Sequence, residues 1–487
     1  MNMNEIFNIR PSTRQLHWQR LEFYGFIHFG MNTMTGREWG EGHEDPALFD
    51  PQHLDAARWV AVLKQAGMKA VILTCKHHDG FCLWPSRYTK HSVASSPWRD
   101  GQGDLVREVS EACREAGLKF GVYLSPWDRT EASYGEGSAY DDFYVNQLTE
   151  LLTQYGEISC VWLDGANGEG ASGKRQQYDW DRYYEIIRRL QPQCVISVCG
   201  PDIRWVGNEA GHTRREEWSV VPRALQDAEK TAEKSQQTDD PTFARSINSM
   251  EEDLGSREAI ARYGGEWVWY PAEVNTSIRR GWFYHAEEDG QVRSARELFD
   301  IYLKAVGGNA MLLLNVPPNR DGRIAAPDCE ALAGLGVRIA ELNDPWRIRG
   351  AVWTASSAAS EKETAEVLGG GDLDRGWKPT ETDAEPWVQI ALPEGRTFNA
   401  VILQEPIVQG QRVEAFELWV SEEDGDELDL EETGNLDEWR WIGEGTMIGH
   451  KKIVTLPLTT ARRVKVIFKR YRGYPTLANF RLSLLSD

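Results

Sequence analysis

The segment CVWLDGANG, residues 160–168, joins four apolar residues to a single carboxylate at Asp164 and then to glycine and asparagine. A short apolar run of this kind, bounded by turn-forming residues, predicts a strand that is buried on both faces. The segments on either side, FYVNQLTELLTQYG and DRYYEIIRRLQP, have the apolar spacing of amphipathic helices. The sequence therefore predicts a helix, a buried strand and a second helix, with the strand ending on a charged side chain.

The same alternation of helices and strands extends over roughly the first 340 residues. Further apolar strands are predicted at residues 23–30, 69–75, 119–125, 194–200, 266–274 and 310–318. So many strand–helix units favour a closed (β/α) barrel over an open parallel sheet. The polar and irregular stretch 201–265 indicates that the barrel is imperfect there. We therefore predict an α/β fold with a TIM-like catalytic barrel over residues 1–345.

The C-terminal part, residues 346–487, has a different texture. Segments such as FNAVILQE, VEAFELWVS and RRVKVIFKR are short, alternate apolar with polar residues and are separated by turn residues. This pattern predicts an antiparallel β-sandwich. The acidic segment 421–439 is interpreted as a solvated hairpin loop in preference to a calcium site.

Composition excludes several classes of partner. The chain has 487 residues, 41% of them hydrophobic, and a formal net charge of −21. That charge argues against nucleic acid or an anionic membrane as a partner, because phosphate groups are bound by Lys and Arg. No apolar run approaches the length of a membrane span. The 20 Trp, 16 Tyr and 15 Phe suit either stacking on sugar rings or a large aromatic core.

Cysteine usage and the N-terminus bear on the compartment. The seven cysteines include no CxxC pair and favour buried free thiols in a reducing environment. The N-terminus lacks a basic region followed by an apolar stretch, so we expect a cytoplasmic protein. A signal removed beforehand would instead make it a secreted one.

In a (β/α) barrel the catalytic groups lie at the carboxyl ends of the strands, where the loops converge on one opening. The predicted strand ends and the loops after them offer His28, Glu38, Trp39, Lys76, His77, His78, Asp79, Trp84, Tyr123, Asp128, Asp164 and Glu209. Imidazoles, carboxylates and aromatic rings are therefore expected around a single pocket.

Two carboxylates at one pocket suggest glycoside hydrolysis, in which one group attacks the anomeric carbon and the other acts as acid and base. Asp164, at the tip of a rigid strand, suits the nucleophile, and Glu209, on a longer loop, suits the acid/base. In a retaining enzyme their carboxyl groups lie roughly 5–5.5 Å apart. The pKa of the acid/base must be raised, which Trp205 and an apolar wall beside Glu209 could do by excluding water. The other candidates for the acid/base role are Glu216, Glu217, Glu266 and Glu273.

The adjacent residues His77, His78 and Asp79 allow two interpretations. Together with His28 they could hold a metal ion in a metal-dependent hydrolase. Alternatively, neutral imidazoles could hydrogen-bond to sugar hydroxyls. We prefer the sugar interpretation, because adjacent histidines on an extended segment point in opposite directions unless the loop bends.

The segments FIHFGMNTMTGREWG, LTCKHHDGFCLWPS, VYLSPWD and VWLDG resemble the α-L-fucosidases of glycoside hydrolase family 29, in order, over roughly residues 10–340. RWVGNEAG, followed by EWSV, resembles the branch of that family that acts on α-1,3/1,4-linked fucose in branched, Lewis-type glycans. The resemblance implies a retaining mechanism without metal or cofactor and a fucosylated oligosaccharide as substrate. It implies Asp164 as the nucleophile and Glu209 as the acid/base.

The resemblance also implies a set of substrate-binding residues, namely His28, Glu38, Trp39, His77, His78, Tyr123 and Trp282. Trp282 would pack on the methyl face of the sugar, and this chain has Leu124 where the family often has a second aromatic residue. The C-terminal region resembles a discoidin-like domain that either binds glycan or braces the barrel. A broad-specificity α-L-fucosidase and a non-catalytic glycan-binding protein remain alternatives.

Overall fold

The computed structural model describes residues 6–234, 253–422 and 439–486. The acidic segment predicted to be a hairpin loop lies almost entirely outside these residues. Within them, the chain forms a nearly closed barrel of parallel strands followed by an antiparallel sheet. None of the helices in the described ranges has the length and apolar character needed to cross a membrane.

Strands of the N-terminal part are, from β1 to β10, Phe23–Ile27, Ala70–Lys76, Lys119–Leu124, Cys160–Leu163, Val195–Val198, Arg204–Trp205, Val220–Pro222, Trp267–Trp269, Ala272–Ser277 and Met311–Asn315. Eight of them form one parallel sheet in the order β5-β4-β3-β2-β1-β10-β9-β6. An isolated parallel bridge between Ser197 and Ile203 brings the two ends of this order together. The predicted barrel is confirmed. Its closure is incomplete between β5 and β6, where the irregular stretch 201–265 begins.

The barrel strands are buried because they are nearly continuous apolar runs covered by helices. The helices α1 to α10 span Thr13–Gln19, Met31–Thr35, Ala56–Gln65, Leu105–Ala116, Ser138–Gln154, Trp180–Leu190, Ala228–Lys234, Arg257–Tyr263, Ala295–Ala305 and Ala326–Leu342. Several begin on an acidic or hydroxyl cap: the side chains of Asp55, Asp104 and Ser294 accept backbone N–H groups three residues onward.

The strand predicted at residues 266–274 is divided in the structure. Trp267–Trp269 pairs antiparallel with Val220–Pro222 outside the barrel, whereas Ala272–Ser277 is a barrel strand. Pro271 lies between the two segments and has no N–H with which to continue a ladder. The prediction was therefore wrong in treating this apolar run as one element that ends at residue 274.

Strands of the C-terminal part, β11 to β16, span Val352–Ala355, Trp387–Gln404, Val413–Ser421, Arg440–Gly445, Lys452–Tyr471 and Asn479–Ser483. They form one antiparallel sheet in the order β11-β12-β15-β13-β14, with β16 paired to β12. Strands β12 and β15 are long, and register shifts let them bend across a separate hydrophobic core. The predicted antiparallel sandwich fold is confirmed.

The two parts of the chain pack against each other. Ala400, Ile402 and Ile453 of the C-terminal sheet join the hydrophobic cluster of the barrel. The buried carboxylate of Glu22, which immediately precedes β1, accepts hydrogen bonds from His450 Nε2 at 3.0 Å and Lys451 Nζ at 2.6 Å.

All seven cysteines are free thiols and six of them are buried, as predicted.

Candidate active site

A cavity of about 450 Å³ lies at the carboxyl ends of the barrel strands. Its lining comes from β1, β4 and β9 and from the loops that follow β1, β2, β4, β6 and β9. The lining residues are Phe26, His28, Glu38, Trp39, His77, His78, Trp162, Asp164, Ala166, Glu209, Asn275 and Trp282. The two carboxylates predicted as a catalytic pair therefore face the same cavity.

Asp164 immediately follows β4, and both of its carboxylate oxygens are held. The phenol of Tyr123 donates a hydrogen bond of 2.7 Å to Oδ2, and the backbone N–H of Ala166 donates one of 2.9 Å to Oδ1. The side chain remains 20% exposed at the cavity. A carboxylate that is fixed in direction and still reachable suits a nucleophile.

Glu209 lies on the irregular loop after β6, and the indole Nε1 of Trp282 donates a hydrogen bond of 3.2 Å to its Oε2. Burial, reinforced by the negative charge of Asp164, raises the pKa of Glu209 from 4.5 to about 8, although the bond from Trp282 acts in the opposite direction. Glu209 is therefore protonated at neutral pH, as a general acid must be.

The other glutamates considered for the acid/base role are engaged elsewhere, and none of the four lines the cavity. Glu217 and Glu273 are buried, whereas Glu216 and Glu266 are more exposed. Their partners are Thr446 for Glu216, Arg204 and Arg214 for Glu217, Arg223 for Glu266, and Tyr24, Trp162 and Ser197 for Glu273.

His28 has a defined tautomer. The amide nitrogen of Asn315 donates to Ser277 Oγ at 3.0 Å and to the carbonyl of Trp282 at 2.8 Å, so its Oδ1 faces His28. That oxygen accepts a bond of 2.9 Å from Nδ1 of His28, which leaves Nε2 as a hydrogen-bond acceptor. Burial lowers the pKa of His28 to about 3, so the ring is neutral.

His77 and His78 are also neutral, because burial lowers the pKa of both rings, that of His78 to about 4. Asn32 Nδ2 donates to Nδ1 of His77 at 3.2 Å, so His77 carries its proton on Nε2. His78 Nδ1 donates to Ser125 Oγ at 2.7 Å, since that hydroxyl donates its own proton to the carbonyl of Trp127. The cavity therefore offers one imidazole donor, at His77, and two acceptors, at His28 and His78.

Glu38 holds the loop that carries Trp282. It accepts hydrogen bonds from the backbone N–H groups of Trp282 at 2.9 Å and Phe283 at 3.3 Å, and from His285 Nε2 at 2.8 Å. The Trp282 ring lies 5.1 Å from the ring of His28, with an angle of 34° between their planes. Glu38 thus positions the indole that contacts both Glu209 and the imidazole of His28.

Tyr123 and Trp205 were expected to face the cavity, but neither is among its lining residues. Tyr123 is fully buried behind Asp164, and it hydrogen-bonds to that carboxylate without lining the cavity. Trp205, expected to cover Glu209, instead donates to Asn275 Oδ1 at 2.8 Å and is not a lining residue. The indole that hydrogen-bonds to Glu209 is that of Trp282, which reaches it from the loop after β9.

Four other residues that were predicted at the strand ends lie outside the cavity. Lys76 and Asp128 form a buried ion pair of 2.7 Å, and Trp84 donates to Glu150. Asp79, the carboxylate of the metal interpretation, accepts the backbone N–H of Phe81 at 2.8 Å. Across residues 6–234, 253–422 and 439–486, no group of three or more His, Cys, Asp and Glu side chains could hold a metal ion.

Sequence reasoning missed the lining residues Phe26, Trp162, Ala166 and Asn275. Phe26 and Trp162 lie inside strands that were read only as apolar, and both face the opening. Asn275 follows the residue at which the predicted strand ended; the polar residues of YPAEVNTS could have shown that this strand points side chains inward. Among the tryptophans, Trp39 and Trp282 line the cavity, whereas Trp59 and Trp377 lie in the core.

Known protein families match both parts of the chain. A family model described as Alpha-L-fucosidase matches residues 14–341, and one described as F5/8 type C domain matches residues 352–480. Alpha-L-fucosidase 1 of Arabidopsis thaliana is 40% identical over 474 residues, which cover 96% of this chain and 86% of the plant protein.

Solved structures give the same result. A glycoside hydrolase 29 family member from an unknown rumen bacterium is 37% identical, with a TM-score of 0.74, over 99% of this chain and 78% of that one. A Ruminococcus gnavus GH29 fucosidase in complex with fucose is 27% identical, with a TM-score of 0.83, over 99% of this chain and 96% of that one.

Proposed function

The chain belongs to the α-L-fucosidases of glycoside hydrolase family 29, and from this membership we propose that it is a retaining exo-α-L-fucosidase acting on α-1,3/1,4-linked fucose of branched, Lewis-type glycans. The observation that carries the proposal is the pairing, across one cavity, of a doubly hydrogen-bonded Asp164 with a Glu209 whose pKa is raised to about 8. Two carboxyl groups in different environments can take the two different roles that retention requires.

In the proposed first step, a carboxylate oxygen of Asp164 attacks the anomeric carbon while Glu209 gives its proton to the departing glycosidic oxygen. The C–O bond to the aglycone breaks, and a fucosyl–Asp164 ester forms. Glu209, now ionised, then takes a proton from water, which attacks the same carbon and releases fucose. Glu209 is protonated again and Asp164 is restored as a carboxylate.

The histidines supply the proposed recognition of the sugar hydroxyls. His28 and His78 accept hydrogen bonds at Nε2, so they select hydroxyls that donate, while His77 donates from Nε2. The indole of Trp282 offers an apolar face for the methyl group of a 6-deoxy sugar. A sugar with a hydroxymethyl group there would bury a hydroxyl against an aromatic ring, at a free-energy cost.

Replacement of Asp164 by glycine tests the mechanism. The Asp164→Gly variant should lose on the order of 10³-fold or more in turnover of an aryl fucoside, because no other group can form the ester. Azide should restore part of the turnover and yield the inverted fucosyl azide. Near-normal activity of the variant without azide would reject the assignment.

Glu209→Ala tests the acid/base role. The Glu209→Ala variant should lose most activity on substrates with poor leaving groups, since only those leaving groups need protonation. Glu169→Ala is the matched control, because Glu169 is an exposed carboxylate on the loop after Asp164 and does not line the cavity. Equal losses across leaving groups would contradict the role of Glu209.

The linkage preference rests on the resemblance of RWVGNEAG and EWSV to the α-1,3/1,4 branch. A panel of a Lewis trisaccharide, 2′-fucosyllactose and an aryl fucoside separates the possibilities. We expect the Lewis trisaccharide to be cleaved fastest of the two natural substrates. Equal cleavage of both would place the enzyme with broad-specificity α-L-fucosidases, and the absence of multiple turnover on all three would favour a glycan-binding protein.

A further inference from the structure

A second, larger cavity lies where the barrel meets the C-terminal sheet. It has an empty volume of about 1600 Å³ and shares no lining residue with the active-site cavity. Its walls are residues 212–215, the outer face of α9, the start of β15 and residues 485–486. We refer to it as the junction cleft.

The junction cleft is strongly basic. Its lining includes the cationic or titratable side chains His212, Arg214, Arg215, Arg296, Lys304, Arg338 and Lys452. Asp300 is the carboxylate among the lining residues. This concentration of positive charge stands out in a chain with a net charge of −21.

Several of these cations lack a carboxylate partner. Taking only the part of the chain that the structure describes, Arg215, Arg296, Lys304 and Lys452 form no ion pair within 4.0 Å. Asp300 lies one helical turn from both Arg296 and Lys304 on α9, yet it pairs with neither. Lys and Arg side chains outnumber carboxylates among the lining residues, so the potential inside the cleft is positive.

Lys452 is one of the unpaired cations of the cleft. Burial lowers its pKa, the attraction of Glu216 opposes that shift, and the repulsion of Arg215 adds to it to a smaller extent. A negatively charged group placed among these side chains would offset both the cost of burial and the repulsion from Arg215, and so stabilise the charged lysine. The cleft is therefore electrostatically suited to an anion.

The remaining lining indicates what kind of anion fits. Thr213, Asn399, Thr455 and Ser486 contribute hydroxyl and amide groups, and Phe299 and Leu303 contribute apolar surface. Neutral hydrogen-bonding groups beside apolar surface suit the hydroxyls and C–H faces of sugar rings. A short anionic ligand responds mainly to charges within about 10 Å at 0.1 M salt, whereas a long polyanion would also be repelled by the acidic remainder of the protein.

We propose that the junction cleft is a binding site for an acidic saccharide, whose carboxylate or sulfate groups contact Arg215, Arg296, Lys304 and Lys452. This site lies outside the fucosidase cavity, and the proposal does not depend on the linkage preference proposed above.

Calorimetric titration with trigalacturonate tests the proposal, with neutral maltotriose and sodium sulfate as companion probes. The variant is Arg296→Gln with Lys304→Gln, two exposed residues of α9. The matched control is Lys90→Gln with Arg189→Gln, which removes one exposed Lys and one exposed Arg outside the cleft. Both double variants should cleave an aryl fucoside at the wild-type rate, which shows that they are folded.

We expect trigalacturonate to bind the wild type and the control alike, and to bind the cleft variant about tenfold more weakly, since two charge contacts are lost. Added NaCl should weaken the binding. Equal binding to the cleft variant, or no binding to the wild type at millimolar concentration, would overturn the proposal. If maltotriose bound the wild type as tightly as trigalacturonate does, a role for charge would be excluded. If sulfate bound as tightly as trigalacturonate does, a saccharide site would be excluded.

Discussion

The indole Nε1 of Trp282 donates a hydrogen bond of 3.2 Å to Oε2 of Glu209, although 73 residues separate the two along the chain. The backbone N–H of the same tryptophan is bound by Glu38 at 2.9 Å. Trp282 therefore connects the residue proposed as acid/base to a second buried carboxylate, and its position affects the protonation of Glu209.

Trp282→Phe should move the alkaline limb of the pH profile to higher pH. The bond from Trp282 lowers the pKa of Glu209, which lies at about 8, so its removal raises that pKa further. Because the first step needs protonated Glu209, activity then persists to higher pH. The measurement is kcat/KM of an aryl fucoside against pH.

Trp205→Phe is the matched control, because its indole N–H donates to Asn275 Oδ1 and not to Glu209. Its alkaline limb should coincide with that of the wild type. An unchanged or downward-shifted limb in Trp282→Phe would show that the hydrogen bond does not govern the protonation of Glu209.

Glu209→Gln should stabilise the folded protein more at pH 8 than at pH 4.5. The pKa of Glu209 is raised from 4.5 to about 8, so between these values the folded state keeps a proton that the unfolded state has lost. Stability therefore falls as pH rises through this window, and the neutral glutamine removes that loss. The difference in Tm between variant and wild type, measured by scanning fluorimetry, should grow with pH, whereas exposed Glu185→Gln should give a constant difference.

Tyr123→Phe should reduce kcat by about 10- to 100-fold while leaving KM nearly unchanged, because a hydrogen bond to a charged group is worth about 1.5–3 kcal/mol. The variant loses the 2.7 Å bond to Asp164 but no group that lines the cavity. Tyr144→Phe is the matched control, since that buried phenol donates to the carbonyl of Leu124. Equal kinetics in the two variants would argue against a positioning role for Tyr123.

Glu22→Gln should destabilise the protein by about 3–5 kcal/mol, because it leaves the buried Lys451 without its counter-charge. Burial acts to raise the pKa of Glu22, but Lys451, His450 and Lys69 outweigh it and hold that pKa well below 4.5. The wild type should therefore lose this stabilisation as pH falls below 4.5, and the variant should lose less.

Urea unfolding at neutral and acidic pH measures this effect. Glu157→Gln, which removes the exposed pair with Lys119, is the control and should cost at most about 1 kcal/mol. A Glu22→Gln variant as stable as the wild type would show that packing of the barrel against the C-terminal sheet does not depend on the charge contact between Glu22 and Lys451.

Most barrel strands and several site residues could be predicted, because both follow from patterns of neighbouring residues in the sequence. Continuous apolar runs predict buried parallel strands, and a residue directly after such a strand must lie at the barrel opening. Asp164, His28, His77 and His78 were found in this way. Asn275 was missed because Pro271, which divides the apolar run, was not recognised as the end of one element.

The sequence alone determined the fold class and several of the polar side chains at the barrel opening, because both depend on apolar periodicity and on the residues that follow each strand. Only the tertiary structure decided that Glu209 and not Glu217 shares a cavity with Asp164, that the indole of Trp282 hydrogen-bonds to Glu209, and that cations from four separate segments meet in the junction cleft. Those contacts join residues far apart in sequence, and their geometry depends on how loops and domains pack, which no local pattern encodes.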